Sequence, residues 1–285
     1  MKGTLLYELF KLNEYWYKTF SRNADDQLAS VHQYGPHAKQ YLIHFSPAEK
    51  RTSKPIILYY HGGGWIFGKP EIFAKKAHIF TSQGFEFIVP CYRKVPRYNA
   101  DHVREDLNLT LHFLYKYLEV NNFKDRKIIL GGTSAGGNLV SLIYFQKELL
   151  EQSGFVQDDF IGMFLTAPPL DLFQMKTTPV LYSYAGGKSS ERYRNASPLS
   201  HLAGSTAIKI LSFHGTRDAI VNLKASQTFF ERFDELHPNC LENNLLNDHG
   251  HIESASWAHT DNATRKRMLQ WLEEISGSKF NSKSF

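Results

Sequence analysis

Cysteine is scarce: Cys91 and Cys240 are the only two in 285 residues, far apart in the chain. No disulfide framework can be built from them, which sets aside the small secreted scaffolds that rely on one. Long apolar runs are missing as well. No segment reaches the ~18 uninterrupted apolar residues that a membrane-spanning helix needs. The apolar N-terminus is interrupted by Glu8, Lys11 and Glu14, so no signal-peptide core can be drawn there. The expectation is a soluble chain in a reducing, cytoplasmic setting, with no membrane partner. Under that expectation the sequons at Asn108, Asn195 and Asn262 carry no weight.

Charge of one sign is not concentrated anywhere. The formal net charge is +5, but basic residues alternate with acids, as in Arg104-Glu105-Asp106 and Lys124-Asp125-Arg126. The denser Arg265-Lys266-Arg267 falls on an amphipathic pattern and reads as the wet face of a helix. No basic stripe forms, and nucleic acid is not an expected partner. No Pro/Gly/Ser-rich linker divides the chain either. With 42% hydrophobic and 14% aromatic residues there is enough apolar material for a sizeable core, and one domain spanning residues 1–285 is expected.

Within that length, short apolar runs alternate with helical patterns. Strands are expected at 41–45, 55–60, 85–91, 128–130, 160–166 and 207–213, with a weakly marked one near 240–246. Helices are expected over 3–20, 70–82, 101–119, 136–151, 222–236 and 257–275. The run at 55–60 is continuously apolar, as in a strand buried on both faces. Strand and helix in alternation imply a mainly parallel sheet with helices on both faces, an α/β architecture. Residues 21–40 are polar and turn-rich, 171–203 are rich in Tyr, Ser and Gly and interrupt the alternation, and 276–285 read as a frayed tail. In the first helix Leu5, Leu9, Leu12, Trp16 and Phe20 form a stripe, widened by Leu6 and Phe10, that is expected to lie over a larger body.

The stretch that organises this pattern is Gly132-Thr133-Ser134-Ala135-Gly136, placed between a strand and a helix. A serine at the apex of a sharp strand-to-helix turn is exposed in strained backbone, and glycines are needed where a Cβ would strike the adjoining elements. Ser134 is the candidate nucleophile. It needs a base to take its proton and an acid to hold that base's tautomer. In a parallel-sheet hydrolase these arrive in the order Ser, Asp or Glu, His. Asp218 stands just beyond the strand that ends His214-Gly215-Thr216-Arg217, at the carboxyl edge of the sheet. Asp171 is the rival acid. The base lies in Asn247-Asp248-His249-Gly250-His251-Ile252, where His249 and His251 compete. A metal site there would find no complementary His/Cys cluster elsewhere in the sequence, and none is expected. His61-Gly62-Gly63-Gly64-Trp65 follows the strand at 55–60; its glycines bring N–H groups close to a substrate oxygen and, with the amide of Ala135, can form an oxyanion hole. The run lacks the pattern of a nucleotide-binding loop, so no cofactor is expected.

Taken together, His61-Gly62-Gly63-Gly64, Gly132-Thr133-Ser134-Ala135-Gly136-Gly137-Asn138, His214-Gly215-Thr216-Arg217-Asp218 and Gly250-His251 resemble the hormone-sensitive-lipase-like branch of the α/β-hydrolase-fold esterases. Tyr92-Arg93 and Ala196-Ser197-Pro198-Leu199 are similar to its secondary landmarks, and the likeness runs from about residue 40 to the C-terminus. The resemblance implies an α/β-hydrolase fold with a cap built from residues 1–40 and 171–203. It implies a triad of Ser134, Asp218 and His251, with Gly63, Gly64 and Ala135 as oxyanion donors. It implies a serine hydrolase acting on small, short-chain carboxylic esters through an acyl-enzyme. Trp65, Phe67, Phe173, Tyr182 and Tyr184 are candidates to line the pocket. An arylformamidase-like amidase or deacetylase on the same triad is the alternative, and a non-catalytic receptor on this fold is a more distant one. A homodimer is the one assembly left open. Two departures are visible: Thr133 stands where many members carry Asp, and no aromatic follows His251, which keeps His249 in contention.

Overall fold

The computed structural model describes residues 2–20, 29–49 and 54–277. Eight strands form one sheet: β1 Ala29–Gln33, β2 Tyr41–Phe45, β3 Ile56–Tyr60, β4 Glu86–Pro90, β5 Ile128–Thr133, β6 Phe160–Thr166, β7 Lys209–Gly215 and β8 Leu241–Leu246. Their spatial order is β1-β2-β4-β3-β5-β6-β7-β8. The β1–β2 and β2–β4 pairs are antiparallel and every later pair is parallel. The helices are α1 Leu5–Phe20, α2 Ala74–Thr81, α3 Ala100–Val120, α4 Ala135–Phe145, α5 Lys147–Ser153, α6 Pro179–Ala185, α7 Glu191–Asn195, α8 Lys224–Leu236, α9 His251–Ser254 and α10 Ala263–Ile275.

The central strands are apolar on both faces because both faces are covered. In β3, Ile56, Leu58 and Tyr60 join one core with α3, α4 and α8. The alternate residues Ile57 and Tyr59 join a second core with α2, α10 and Trp257. This two-residue period, with every β3 position buried, is the packing expected of a parallel sheet between helical layers.

Four expectations need correction. Residues 29–33, inside the stretch read as turn-rich, form the edge strand β1, and β2 lies one place in from the edge. The Ala-Ser-Val-His-Gln sequence hid it, because an exposed edge strand has no apolar face to reveal. Residues 1–40 are therefore not a cap throughout, since β1 belongs to the sheet. The helix expected over 136–151 is two helices broken at Gln146, whose backbone leaves helical dihedrals. Its side chain there accepts from Arg104 Nε at 3.3 Å and donates to the Asn195 carbonyl at 3.2 Å. Finally, α1 does not lay its apolar stripe on the body: Leu6 and Phe10 are 72% and 67% exposed and Leu5 and Leu9 are also on the surface, while Glu8 is fully buried. The side chains of Trp16 and Phe20, like the expected tail at 278–285 and the polar segment 21–28, lie outside the described residues.

Candidate active site

Strand β5 delivers Ser134 to the carboxyl edge of the sheet and α4 begins at the next residue. Ser134 has φ 54° and ψ −124°, a combination that costs a non-glycine residue about 1–3 kcal/mol and persists only where the surroundings enforce it. The enforcement is visible. The Ser134 amide donates to the Thr166 carbonyl at 2.8 Å. A Cβ on Gly136 would fall inside the Tyr60 carbonyl oxygen, and one on Gly132 would strike the Gly136 backbone. The two glycines let α4 come this close to β3 and β5. Thr133 is bonded through its hydroxyl to Tyr59 Oη at 2.7 Å, so an uncharged pair occupies the position of the departure from Asp.

The loop after β7 brings the acid. Asp218 Oδ1 accepts the amides of Ile220 and Val221 at 2.9 and 2.8 Å. Its Oδ2 faces two imidazoles, His251 Nδ1 at 2.6 Å and His214 Nε2 at 3.1 Å. Burial opposes the charge of Asp218, but the His251 and His214 rings and their hydrogen bonds hold its carboxyl well below the usual carboxylate range. Having Nδ1 on Asp218 leaves the other ring nitrogen of His251 toward the serine, with Nε2 2.9 Å from Ser134 Oγ. Burial acts to lower the His251 pKa, yet the Asp218 charge, its hydrogen bond and the Glu8 charge together raise it above the ordinary histidine value.

The structure thus brings Ser134, His251 and Asp218 into one hydrogen-bonded line. His249 is not in it: its ring bonds the Asn247 carbonyl at 2.8 Å and lines a cavity of about 210 Å³ with Lys11, Tyr15 and His259. Asp171 accepts the amide of Phe173 at 3.0 Å, at the start of a short turn after β6. His251 opens the short helix α9. Among the described residues no cluster of three or more His, Cys, Asp or Glu side chains could hold a metal ion.

The glycine loop after β3 turns beneath the same serine. Gly63 and Gly64 have φ of 123° and 59°, and a Cβ on Gly63 would collide with the Phe67 carbonyl. Among the described residues no acceptor takes the amides of Gly63, Gly64 or Ala135. His61 shapes the loop: its Nδ1 donates to the Gly62 carbonyl at 2.8 Å, and its ring stacks on Tyr92 with centroids 4.8 Å apart. Burial drives the His61 pKa down to about 3, so the ring is neutral.

Of the aromatic pocket candidates, Trp65 and Tyr184 are buried and stacked at 4.3 Å. The Tyr184 hydroxyl also donates to Asn138 Oδ1 at 3.3 Å, tying α6 to α4. Phe173 packs on Tyr193 at 5.0 Å, while Phe67 and Tyr182 are exposed.

Two residues at the site had no assigned role in the sequence. His214 was visible only as the first letter of its motif. Glu8 accepts the backbone amides of His251 at 2.6 Å and Ile252 at 3.1 Å. A trace of it was there to be read: an acid three residues after Leu5 and four before Leu12 sits inside the apolar stripe, where a charge demands a partner.

The chain is 26% identical over 196 residues to Esterase LipC of Mycobacterium tuberculosis, covering 62% of this chain and 48% of LipC. It is 30% identical over 101 residues to the versiconal hemiacetal acetate esterase of Aspergillus parasiticus, covering 35% and 30% of the two chains. It spans half or less of the length of the curated relatives it matches. In three dimensions it is similar to esterase B of Lactobacillus rhamnosis in a tributyrin phosphonate complex, with TM-score 0.72, 19% identity and 96% of each chain covered. That likeness establishes the α/β-hydrolase fold. The BD-FAE family profile matches residues 43–233, a span from β2 into α8 that contains Ser134, Asp218 and the glycine loop, and the chain belongs to the BD-FAE family.

Proposed function

We propose that the chain is a serine hydrolase of small, short-chain carboxylic esters. One observation carries the reading: Ser134 Oγ lies 2.9 Å from His251 Nε2, and His251 Nδ1 lies 2.6 Å from Asp218. In the proposed reaction His251 takes the Ser134 proton as Oγ attacks the ester carbonyl carbon. The carbonyl oxygen becomes an oxyanion that accepts the amides of Gly63, Gly64 and Ala135. Each such donor typically lowers the barrier by about 2.7–4 kcal/mol, because it is already oriented when the charge develops. The protonated His251 then gives its proton to the leaving alcohol, leaving an acyl group on Ser134. Water, deprotonated by His251, attacks the acyl carbon and releases the acid. These steps use only groups of this chain, the substrate and water.

The preference for small acyl groups is supported by the buried Trp65–Tyr184 stack beside the glycine loop. It is also consistent with the acetate and tributyrin-derived ligands in the names of two similar proteins. The proposed architecture is one α/β-hydrolase domain in which α1 and residues 171–203 form the cap. No helix among the described residues is long and apolar enough to cross a membrane. A homodimer is tested by light scattering. The activity is tested with nitrophenyl acetate and butyrate beside formyl and acetyl amides. Ester hydrolysis that disappears in Ser134→Ala supports the proposal, and folded protein inactive on every acyl chain length contradicts it.

A further inference from the structure

We propose that Glu8, carried on α1, is a positioning residue for the histidine base: its carboxylate holds the His251 backbone so that the imidazole spans Ser134 and Asp218. The inference rests on the esterase reading above and deepens it.

A carboxylate removed from water loses several kcal/mol unless hydrogen bonds replace its hydration. Glu8 is fully buried on a helix whose neighbouring Leu5, Leu6, Leu9 and Phe10 are left in solvent. That orientation inverts the one hydrophobicity alone would select, so the polar contacts must dominate it. Those contacts converge on one place: Oε1 accepts the His251 amide at 2.6 Å and Oε2 accepts the Ile252 amide at 3.1 Å. Hydrogen bonds to an ionised acceptor are roughly twice as strong as neutral ones.

A Cβ on Gly250 would collide with the Glu8 carboxylate, so the glycine before His251 leaves room for an acid from another element. The same loop is gripped at further points by the same segment. Tyr7 Oη donates to Glu253 Oε1 at 2.8 Å, and Lys2 Nζ donates to the Asp248 carbonyl at 3.1 Å. Glu253 Oε2 in turn accepts the Gly250 amide at 2.9 Å.

From the β7 loop His251 faces Asp218, with His214 behind it; from α1 it faces Glu8. On its own element and the preceding loop are Glu253, held by Tyr7, and Asp248, paired with Lys2 and Arg217, beside His249. Burial of His251 acts against its charge, while the Asp218 carboxylate and, after it, the Glu8 carboxylate act for the imidazolium that forms when Ser134 is deprotonated.

The experiment uses the full chain and nitrophenyl butyrate, with kcat and KM measured through the acid limb of the pH profile. In Glu8→Gln the expected result is an unchanged KM, kcat lower by about tenfold, equivalent to about 1.4 kcal/mol of barrier, and an acid limb moved to lower pH. Tyr7→Phe, which loosens the loop without touching His251, leaves the limb in place. Wild-type kcat and limb in Glu8→Gln overturn the proposal, as does an equal limb shift in Tyr7→Phe. If Glu8→Gln does not fold, Glu8→Asp decides, because it keeps the charge and shortens the reach: lowered kcat with the limb unmoved supports the proposal, and wild-type kcat overturns it. Labelling of wild-type Ser134 by a fluorophosphonate separates the two failures. Labelling with silent Glu8 variants overturns the role of Glu8 alone; folded, unlabelled and inactive wild type overturns the esterase reading and this one with it.

Discussion

Two helices reach the Ser134–His251 pair, and they are held by opposite kinds of chemistry. Helix α4 starts immediately after Ser134 and is buried at every one of its residues, from Ala135 to Phe145. Its hydrophobic surface, glycine contacts with β3 and β5, and Asn138 bonds to the Pro169 and Ala196 carbonyls fix it from all sides. Helix α1 meets His251 with a buried carboxylate while Leu5, Leu6 and Leu9 face solvent. Ser134, the proposed nucleophile, is thus seated by packing, and His251, the proposed base, by hydrogen bonds. Packing is stiff and additive in area, whereas a few directed bonds can be removed one at a time.

The largest test of this contrast is on the chemistry itself. Ser134→Ala is expected to lower kcat by about 10⁶-fold, the scale seen when a triad nucleophile is removed, with the urea midpoint unchanged. Loss of activity together with stability would mean that the serine supports the fold more than the reaction. Asp218→Asn is expected to lower kcat by about 10⁴-fold, because the amide no longer selects the required His251 tautomer; stopped-assay kinetics on nitrophenyl butyrate read this directly.

The packed helix should respond to truncation and not to charge. Leu139→Ala, at a fully buried α4 position, is expected to cost about 2–5 kcal/mol in urea denaturation with the m-value unchanged. The hydrogen-bonded side should respond to pH. Since His251 must be neutral to act and its pKa is raised above the ordinary value, kcat/KM should climb through a midpoint higher than the ~6.5 of a free imidazole. A midpoint at or below that value would mean that the Asp218 and Glu8 carboxylates do not outweigh the burial of His251. The smallest effect sharpens the comparison most: Leu6→Ser, on the exposed face of α1, should change stability by no more than about 0.5 kcal/mol. A larger loss would show that the exposed leucines of α1 are covered in solution.

What was legible in the sequence follows the same division. The strands β3, β5 and β6 and the faces of α3 could be read because burial writes itself as apolar runs and periods. The Ser134 turn and the glycine loop stood out because a sharp turn and close backbone approach allow few residues there, and Asp218 stood out because it follows a strand end in the chain order expected of such a hydrolase. His251 was separable from His249 only by resemblance, since a two-residue difference in one loop changes no pattern. Strand β1 was missed because its exposed edge has no apolar face, and the break at Gln146 because it depends on Arg104 and Asn195 from distant segments. Glu8 was read as an interruption of an apolar stripe. Its partners are two backbone amides more than two hundred residues away, which leave no mark in composition or spacing.

The most direct test of the account is the site and rate of fluorophosphonate modification, read by intact mass and peptide mapping on the full chain. A single adduct on Ser134 is expected, and its formation should slow sharply in His251→Ala. A folded chain that takes no adduct, an adduct on another residue, or an unchanged rate without His251 would contradict it.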